Sequence, residues 1–475
     1  MMRNGREPSP LMRLLFILVM ITVAAGLVAL GGHSGRLPGG DWYELSRQRI
    51  LQADLMYRMG LYLDQVMPDE AVPGVGGARQ LKEKAIADYE RDVLSGRPNP
   101  AALQRLGIIY AQRGYVEQAR QAFGRGAQLD SEHAGIFFAL AAVYARDPQW
   151  RPLTPDQFRR LHGQEQWLTG IVLSHYYERL GDSAALREAL QRDRVQTRQF
   201  GLRVLTLLAI YGTLGLLGLI ILAVAFVRWA FFVHRRGPSR PPLIVTWEPL
   251  DALEMVAVLY FAMSATGILV GLLTAHFLER TPDVVRVAIT GVQYTLVTVG
   301  VLYLIWTRIA GESRRKLSIL GLRARHVWSL VAQGIGGYAV LVVVLVSLTS
   351  LVPGGNLFAP GLAQTGERLL SVAHSLSARI GLFILICVIA PVVEEMIFRG
   401  FVYPGLRRRM SVAGAVVASA LLFALMHNNP AALAPIAVIG VVLAVLYERN
   451  LSLVPSIICH ALNNTLVFFL MLLTS

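Results

Sequence analysis

Charge and cysteine are both scarce in this chain. Of 475 residues only 16% are Asp, Glu, Lys or Arg, and the two cysteines, Cys387 and Cys459, each lie inside an apolar run. Two such cysteines build neither a disulfide framework nor a Cys-based metal motif. Also missing is His-Glu-x-x-His, the helical zinc-protease signature. Acidic residues are the rarer sign, 31 against 45 Lys and Arg, for a formal net charge of +14. That excess does not call for nucleic acid as a partner. Much of the Arg stands at the ends of apolar runs, where it orients a chain in a bilayer. What the sequence has in plenty is hydrophobicity: 54% of residues and a mean hydropathy of +0.49. Several runs exceed the roughly 18 apolar residues that suggest a membrane span.

Arg3, Arg6 and Arg13 precede an unbroken apolar segment from Leu14 to Leu30. The segment is longer than a signal-peptide core of about 7–15 residues and lacks a clear A-x-A cleavage site. Residues 1–31 therefore read as a signal anchor and first span, with the N-terminus cytoplasmic. Residues 32–199 have the composition of a soluble domain, placed outside the membrane. Within it Leu103, Leu106, Gly107, Tyr110, Ala119 and Phe123 resemble the helix–turn–helix pattern of a tetratricopeptide repeat, with a period of about 34 residues. Phe137, Leu140, Ala141 and Tyr144 repeat the first half before Asp147-Pro148 interrupts, and Leu173, Tyr177 and Gly181 give a weaker echo. The resemblance implies a small helical solenoid. Two readings stand: it docks a protein partner, or it is simply a folded helical domain.

Residues 200–250 hold the second span, Leu202 to Val233, and a cytoplasmic linker beginning His234-Arg-Arg. Residues 251–475 read as a membrane-embedded core. Its spans are expected at about 252–278, 284–306, 327–352, 380–403, 412–428, 431–447 and 453–473. The Arg308–Arg325 loop and Arg407-Arg-Arg409 both fall on the cytoplasmic side, as the excess of Lys and Arg on inner loops requires. The fold class expected is all-α: a polytopic helical membrane bundle of about nine spans with a soluble tetratricopeptide-like domain. The location expected is a cell inner membrane.

Three of these spans carry polar groups at helical spacing. Glu394, Glu395 and Arg399 interrupt the run from Ala390 to Gly400. Each ionisable residue in a span costs about 2.5–3.5 kcal/mol on insertion scales and is by default a functional candidate. Glu395 and Arg399 stand at i and i+4, the orientation that suits an ion pair, so Glu394, about 100° away, is left free for chemistry. Phe423 and His427 share a face of one later span, and His460 and Asn464 share a face of another. At about 1.5 Å per residue, Glu394 lies roughly 20 Å from the Arg407–Arg409 turn and His427 roughly 27 Å from it. His460 lies roughly 15–18 Å from the turn at Glu448-Arg449-Asn450, which puts the groups in one broad layer. A carboxylate, two imidazoles and an amide converging in a dry cavity make a hydrolytic constellation. The carboxylate can take a proton from water, and the donors can stabilise an oxyanion.

Glu-Glu-x-x-x-Arg, Phe-x-x-x-His and His-x-x-x-Asn, in that order over about 70 residues, resemble the CPBP family of membrane proteases, which includes the type II CAAX prenyl proteases and bacteriocin-processing proteins. The resemblance runs from about Val327 to the C-terminus and is clearest from Ile380 to Asn464. It implies that Glu394 activates the attacking water, that His427 helps hold it, and that His460 and Asn464 form the oxyanion hole. Glu395 and Arg399 become a supporting ion pair. The expectation is an intramembrane endopeptidase without a cofactor, acting on a membrane-associated peptide or protein in the lipid bilayer. One Glu and two His also make a donor set for Zn²⁺, which stays as the alternative. A non-catalytic scaffold or immunity-type protein, binding through the soluble domain, is the alternative from another class. A proton-coupled transporter is the third.

Overall fold

The structure, a computed structural model, describes residues 10, 13–14, 16–22, 40–67, 71–72, 76–95, 98–146, 150–162, 166–232, 245–277, 282–309, 321, 326–351, 373, 375–429 and 432–474. Among these the chain is helical apart from one pair of two-residue strands, β1 (Ala71–Val72) and β2 (Gly76–Gly77). It divides into two compact units. The described residues of Leu37–Leu208 form one, and those of Met1–Arg36 and Ala209–Leu473 form the other.

The first unit contains α1 (Gly40–Val66), α2 (Ala78–Leu94), α3 (Pro100–Gln112), α4 (Val116–Leu129), α5 (Ala134–Val143), α6 (Pro155–His162) and α7 (Gln166–Leu180). The start of α3 is set by Asn99, whose side chain accepts from the Ala101 N–H, followed by Pro100 in the first turn. Its end is set by Gly114, at φ +82°, with the Tyr115 N–H donating back to the Tyr110 carbonyl. That left-handed position favours glycine. Successive helices close on one another where a glycine admits a ring. A Cβ on Gly107 would stand 2.4 Å from the Phe123 ring, and one on Gly126 would stand 2.2 Å from Phe137. Leu103, Leu106, Ala119, Phe123, Phe137 and Leu140 are all buried, whereas Tyr110 is half-buried and donates to Glu90. Behind them, Arg105 and Tyr89 both bond the buried Asp54 carboxylate.

α8 (Ser183–Phe232) contributes to both units, through Leu208 to the first and from Ala209 to the second. The second unit continues with α9 (Pro249–Phe277), α10 (Asp283–Ile309), α11 (Val327–Leu351), α12 (Leu376–Arg407), α13 (Val412–Leu425), α14 (Leu433–Asn450) and α15 (Val454–Thr474). Seven helices among the described residues are long and apolar enough to cross a membrane, α8 to α12, α14 and α15. The protein is thus an all-α, multi-pass membrane protein. Of the nine expected spans, the first falls mostly on residues outside those described. The span expected at 412–428 is the 14-residue helix α13, about 21 Å long and short of a full crossing.

α12 is not a uniform α-helix. It widens to π geometry at Ile384–Ile389 and again at Phe398–Val402. Each π segment ends two residues before a proline, Pro391 and Pro404. Proline has no N–H and its ring clashes with the carbonyl four residues back, so the helix loosens rather than continuing unbroken. Buried residues of α9, α10, α12, α13 and α14 form one core with Trp247 just ahead of α9, including Phe398, Phe401, Tyr403, Phe423 and Tyr447. α13 and α14 approach closely at Gly440, where a Cβ would stand 2.9 Å from the Ala420 Cα. α10 runs parallel to α12: the Asp283 carboxylate accepts from the Ser375 N–H and hydroxyl at the start of α12. Further along, Val287 faces Gly381 and Leu385 faces Gly291.

Candidate active site

Glu394 and Glu395 occupy the α-helical stretch of α12 between its two π segments, Ala390–Ile397. Helical spacing aims them differently, and their surroundings differ accordingly. Glu395 and Arg399 are both fully buried and paired, with Arg399 Nη1 3.0 Å from Glu395 Oε1. Arg399 Nη2 donates to the Gly440 carbonyl at 3.0 Å, and its guanidinium lies 4.5 Å from the centre of the Phe423 ring. The expected ion pair forms, anchored on α13 and α14 as well as on its own helix. Glu394 keeps 23% of its side chain exposed.

The Glu395 carboxylate has a second partner. His460 Nδ1 lies 3.1 Å from the same Oε1. An ionised carboxylate only accepts, so Nδ1 carries the proton. That hydrogen bond fixes the ring orientation and turns Nε2 toward Glu394, 3.8 Å from its Oε2. The His460 ring also meets the Phe423 ring edge to face at 5.7 Å. His427, exposed just past the end of α13, meets the same phenyl at 4.9 Å. Its Nδ1 lies 2.9 Å from the Phe423 carbonyl; a carbonyl only accepts, so in the neutral ring the lone pair is on Nε2. Phe423 thus touches both imidazoles.

Asn464, one turn beyond His460 on α15, donates Nδ2 to the Ile386 carbonyl at 2.9 Å. The first π segment explains why that carbonyl is available. The Ala390 N–H bonds Leu385, five residues back, and the next donor in that register would be Pro391, which has none. Asn464 supplies the missing hydrogen bond and retains a second amide N–H. Asn463, buried beside it, donates to Asn464 Oδ1 at 3.4 Å.

The sequence left Glu394 without a partner, and there the structure adds a residue. Tyr294 of α10 donates its hydroxyl to Glu394 Oε1 at 3.2 Å. A single tyrosine in an apolar span gives almost no signal. The available hint was Gln293-Tyr294, a polar pair in mid-helix, of which Gln293 bonds Thr266 of α9 at 2.9 Å. As for zinc, among the described residues no group of three or more His, Cys, Asp or Glu side chains is arranged to hold a metal ion. Glu394 and His460 approach each other, whereas His427 meets Phe423.

The comparisons with known proteins fall on this same stretch. The family model described as "Type II CAAX prenyl endopeptidase Rce1-like" matches residues 376–466. That segment begins with α12, ends within α15 and contains all six polar residues singled out from the sequence. No curated protein and no solved structure matches the chain. The matched description is that of a protease, and with the three polar signatures in their order the match supports membership of the CPBP family over residues 376–466.

Proposed function

We propose that this protein is an intramembrane endopeptidase of the CAAX-protease type in which Glu394 activates water against a peptide bond. The observation that carries the reading is the unequal treatment of two adjacent carboxylates: Glu395 is sealed by Arg399 and His460, while Glu394 remains partly exposed and faces His460 Nε2. Water adds its oxygen to the peptide carbonyl carbon as its proton passes to the Glu394 carboxylate. When the tetrahedral intermediate collapses, the C–N bond breaks and Glu394 returns the proton to the departing nitrogen. Donors around the developing oxyanion are the spare amide N–H of Asn464 and, when it carries a proton, Nε2 of His460. His427, exposed with its Nε2 lone pair free, accepts from the attacking water.

The substrate in this reading is a membrane-anchored peptide or protein, because the site lies among membrane-spanning helices. The N-terminus is on the cytoplasmic side of an inner membrane, and residues 32–199 lie outside, where a tetratricopeptide-like stack recruits a partner. Support for that placement comes from the basic turns in the sequence. The parallel run of α10 and α12, two spans apart in the alternation, agrees with it. The Gly107–Phe123 and Gly126–Phe137 contacts support the repeat reading.

The test uses full-length protein in detergent with farnesylated CAAX peptides and a pool of fluorogenic membrane-anchored peptides, with and without a chelator. Wild type is expected to cleave, Glu394→Ala is not, and the chelator is expected to change nothing. Loss of cleavage with the chelator would transfer the chemistry to a metal. Equal cleavage by both proteins would remove Glu394 from the mechanism.

A further inference from the structure

We infer that Tyr294 is a positioning residue for Glu394, so that the catalytic unit includes a helix lying wholly outside the matched segment 376–466. The inference rests on the reading of Glu394 as the base and deepens it.

Three observations converge on this phenol. Its hydroxyl is 3.2 Å from Glu394 Oε1, while Glu394 Oε2 is the atom that faces His460. The two oxygens are thereby given different tasks, one held and one offered. Next, the helix that brings Tyr294 is fixed against α12 at its start, by the bonds from Ser375 to Asp283, and against α9 beside the tyrosine, by Gln293 and Thr266. The phenol is therefore delivered by a braced element. Finally, the ionisable groups packed beside Glu394 on α12 and α15 are already engaged. Arg399 is spent on Glu395 and Gly440, and His460 Nδ1 is spent on Glu395. Among the described residues Tyr294 is the hydrogen-bond donor to the Glu394 carboxylate. Remove it, and the carboxylate rotates about unrestrained side-chain torsions, at a loss of entropy whenever it must return to the reactive pose. A misplaced general base loses rate steeply, and a displacement of about 1 Å reduces turnover by the order of 100-fold.

Because Tyr294 does not touch the substrate in this arrangement, its loss acts on kcat and not on KM. The experiment compares Tyr294→Phe with wild type, with Glu394→Gln, and with Tyr303→Phe as control, since Tyr303 is on the same helix but 65% exposed. Cleavage of a membrane-anchored fluorogenic peptide is expected to show kcat lowered about 10–100-fold in Tyr294→Phe, with KM within about twofold and the unfolding midpoint unchanged. Tyr303→Phe should match wild type. A second readout does not need turnover: the infrared band of the Glu394 carboxyl, identified by its loss in Glu394→Gln, is expected to shift in Tyr294→Phe. An unmoved band, or a moved band with unchanged kcat, overturns the inference. Full activity in Glu394→Gln would overturn the underlying reading instead, and the band would still decide the contact.

Discussion

Glu394 and Glu395 are neighbours in the chain, but a helical step of about 100° sends Glu395 to an ion pair and leaves Glu394 facing His460 Nε2. The buried pair is held from both sides: Glu395 by Arg399 and His460, Arg399 by Glu395 and the Gly440 carbonyl. Breaking such a pair from one side leaves an unpaired buried charge, typically a loss of about 3–5 kcal/mol. Arg399→Met is therefore expected to lower the unfolding midpoint in detergent sharply. Arg399→Met with Glu395→Leu removes both charges and should recover much of that stability. It should not recover activity, because His460 Nδ1 then has no carboxylate to orient it. Thermal unfolding and peptide cleavage on the same samples check both statements. An active double variant would mean that His460 needs no orienting partner.

At the scale of elements, α12 is shaped by its two prolines and α14 by one glycine. The Ile386 carbonyl, left without a backbone donor ahead of Pro391, is satisfied from α15 by Asn464. Asn464→Leu should destabilise by about 1–3 kcal/mol, the penalty for a buried acceptor left unmade, as well as slowing cleavage. Gly440→Ala forces a Cβ to 2.9 Å from the backbone of α13, and overpacking of this kind costs about 1–3 kcal/mol. Because Gly440 also holds Arg399, that change is expected to reduce cleavage while sparing expression, readable by unfolding midpoint and turnover. Much of this geometry was legible beforehand. The Glu395–Arg399 pair follows from i,i+4 spacing, and His460 and Asn464 share a face for the same reason. The pairing of His460 Nδ1 with Glu395 was not legible, nor was the arrival of Tyr294. Both depend on the register between helices distant in sequence, and an apolar helix packs in several registers with little difference in pattern. The π segments were hidden as well, although Pro391 and Pro404 mark their ends.

For the molecule as a whole, the two units respond to different variables, and the first carries a pH dependence of its own. His175 on α7 stacks on the Tyr144 ring at 4.9 Å. Burial, with the Arg179 charge adding to it, holds its imidazole below the usual histidine range. The folded state therefore binds fewer protons than the unfolded chain between the two pKa values. Its stabilising contribution is full above the unfolded pKa of about 6.5 and is lost as pH falls from there through the folded value. Amide hydrogen exchange on the full-length protein is expected to show α5 and α7 losing protection on acidification, with His175→Phe abolishing the change. The same loss in His175→Phe would assign it to another group. At this scale the sequence was informative about class and spans, because hydropathy is additive along the chain. It was less so about lengths: α13 stops at Leu425, and His427 lies past its end where an unbroken span was expected.

The account turns on the division of labour between the two adjacent glutamates, so the most direct measurement compares Glu394→Gln with Glu395→Gln for both cleavage and unfolding midpoint in one detergent preparation. The account predicts that Glu394→Gln unfolds like wild type and does not cleave. It predicts that Glu395→Gln unfolds at a clearly lower temperature. A fully active Glu394→Gln, or an inactive one that has simply lost its fold while Glu395→Gln stays as stable as wild type, would contradict it.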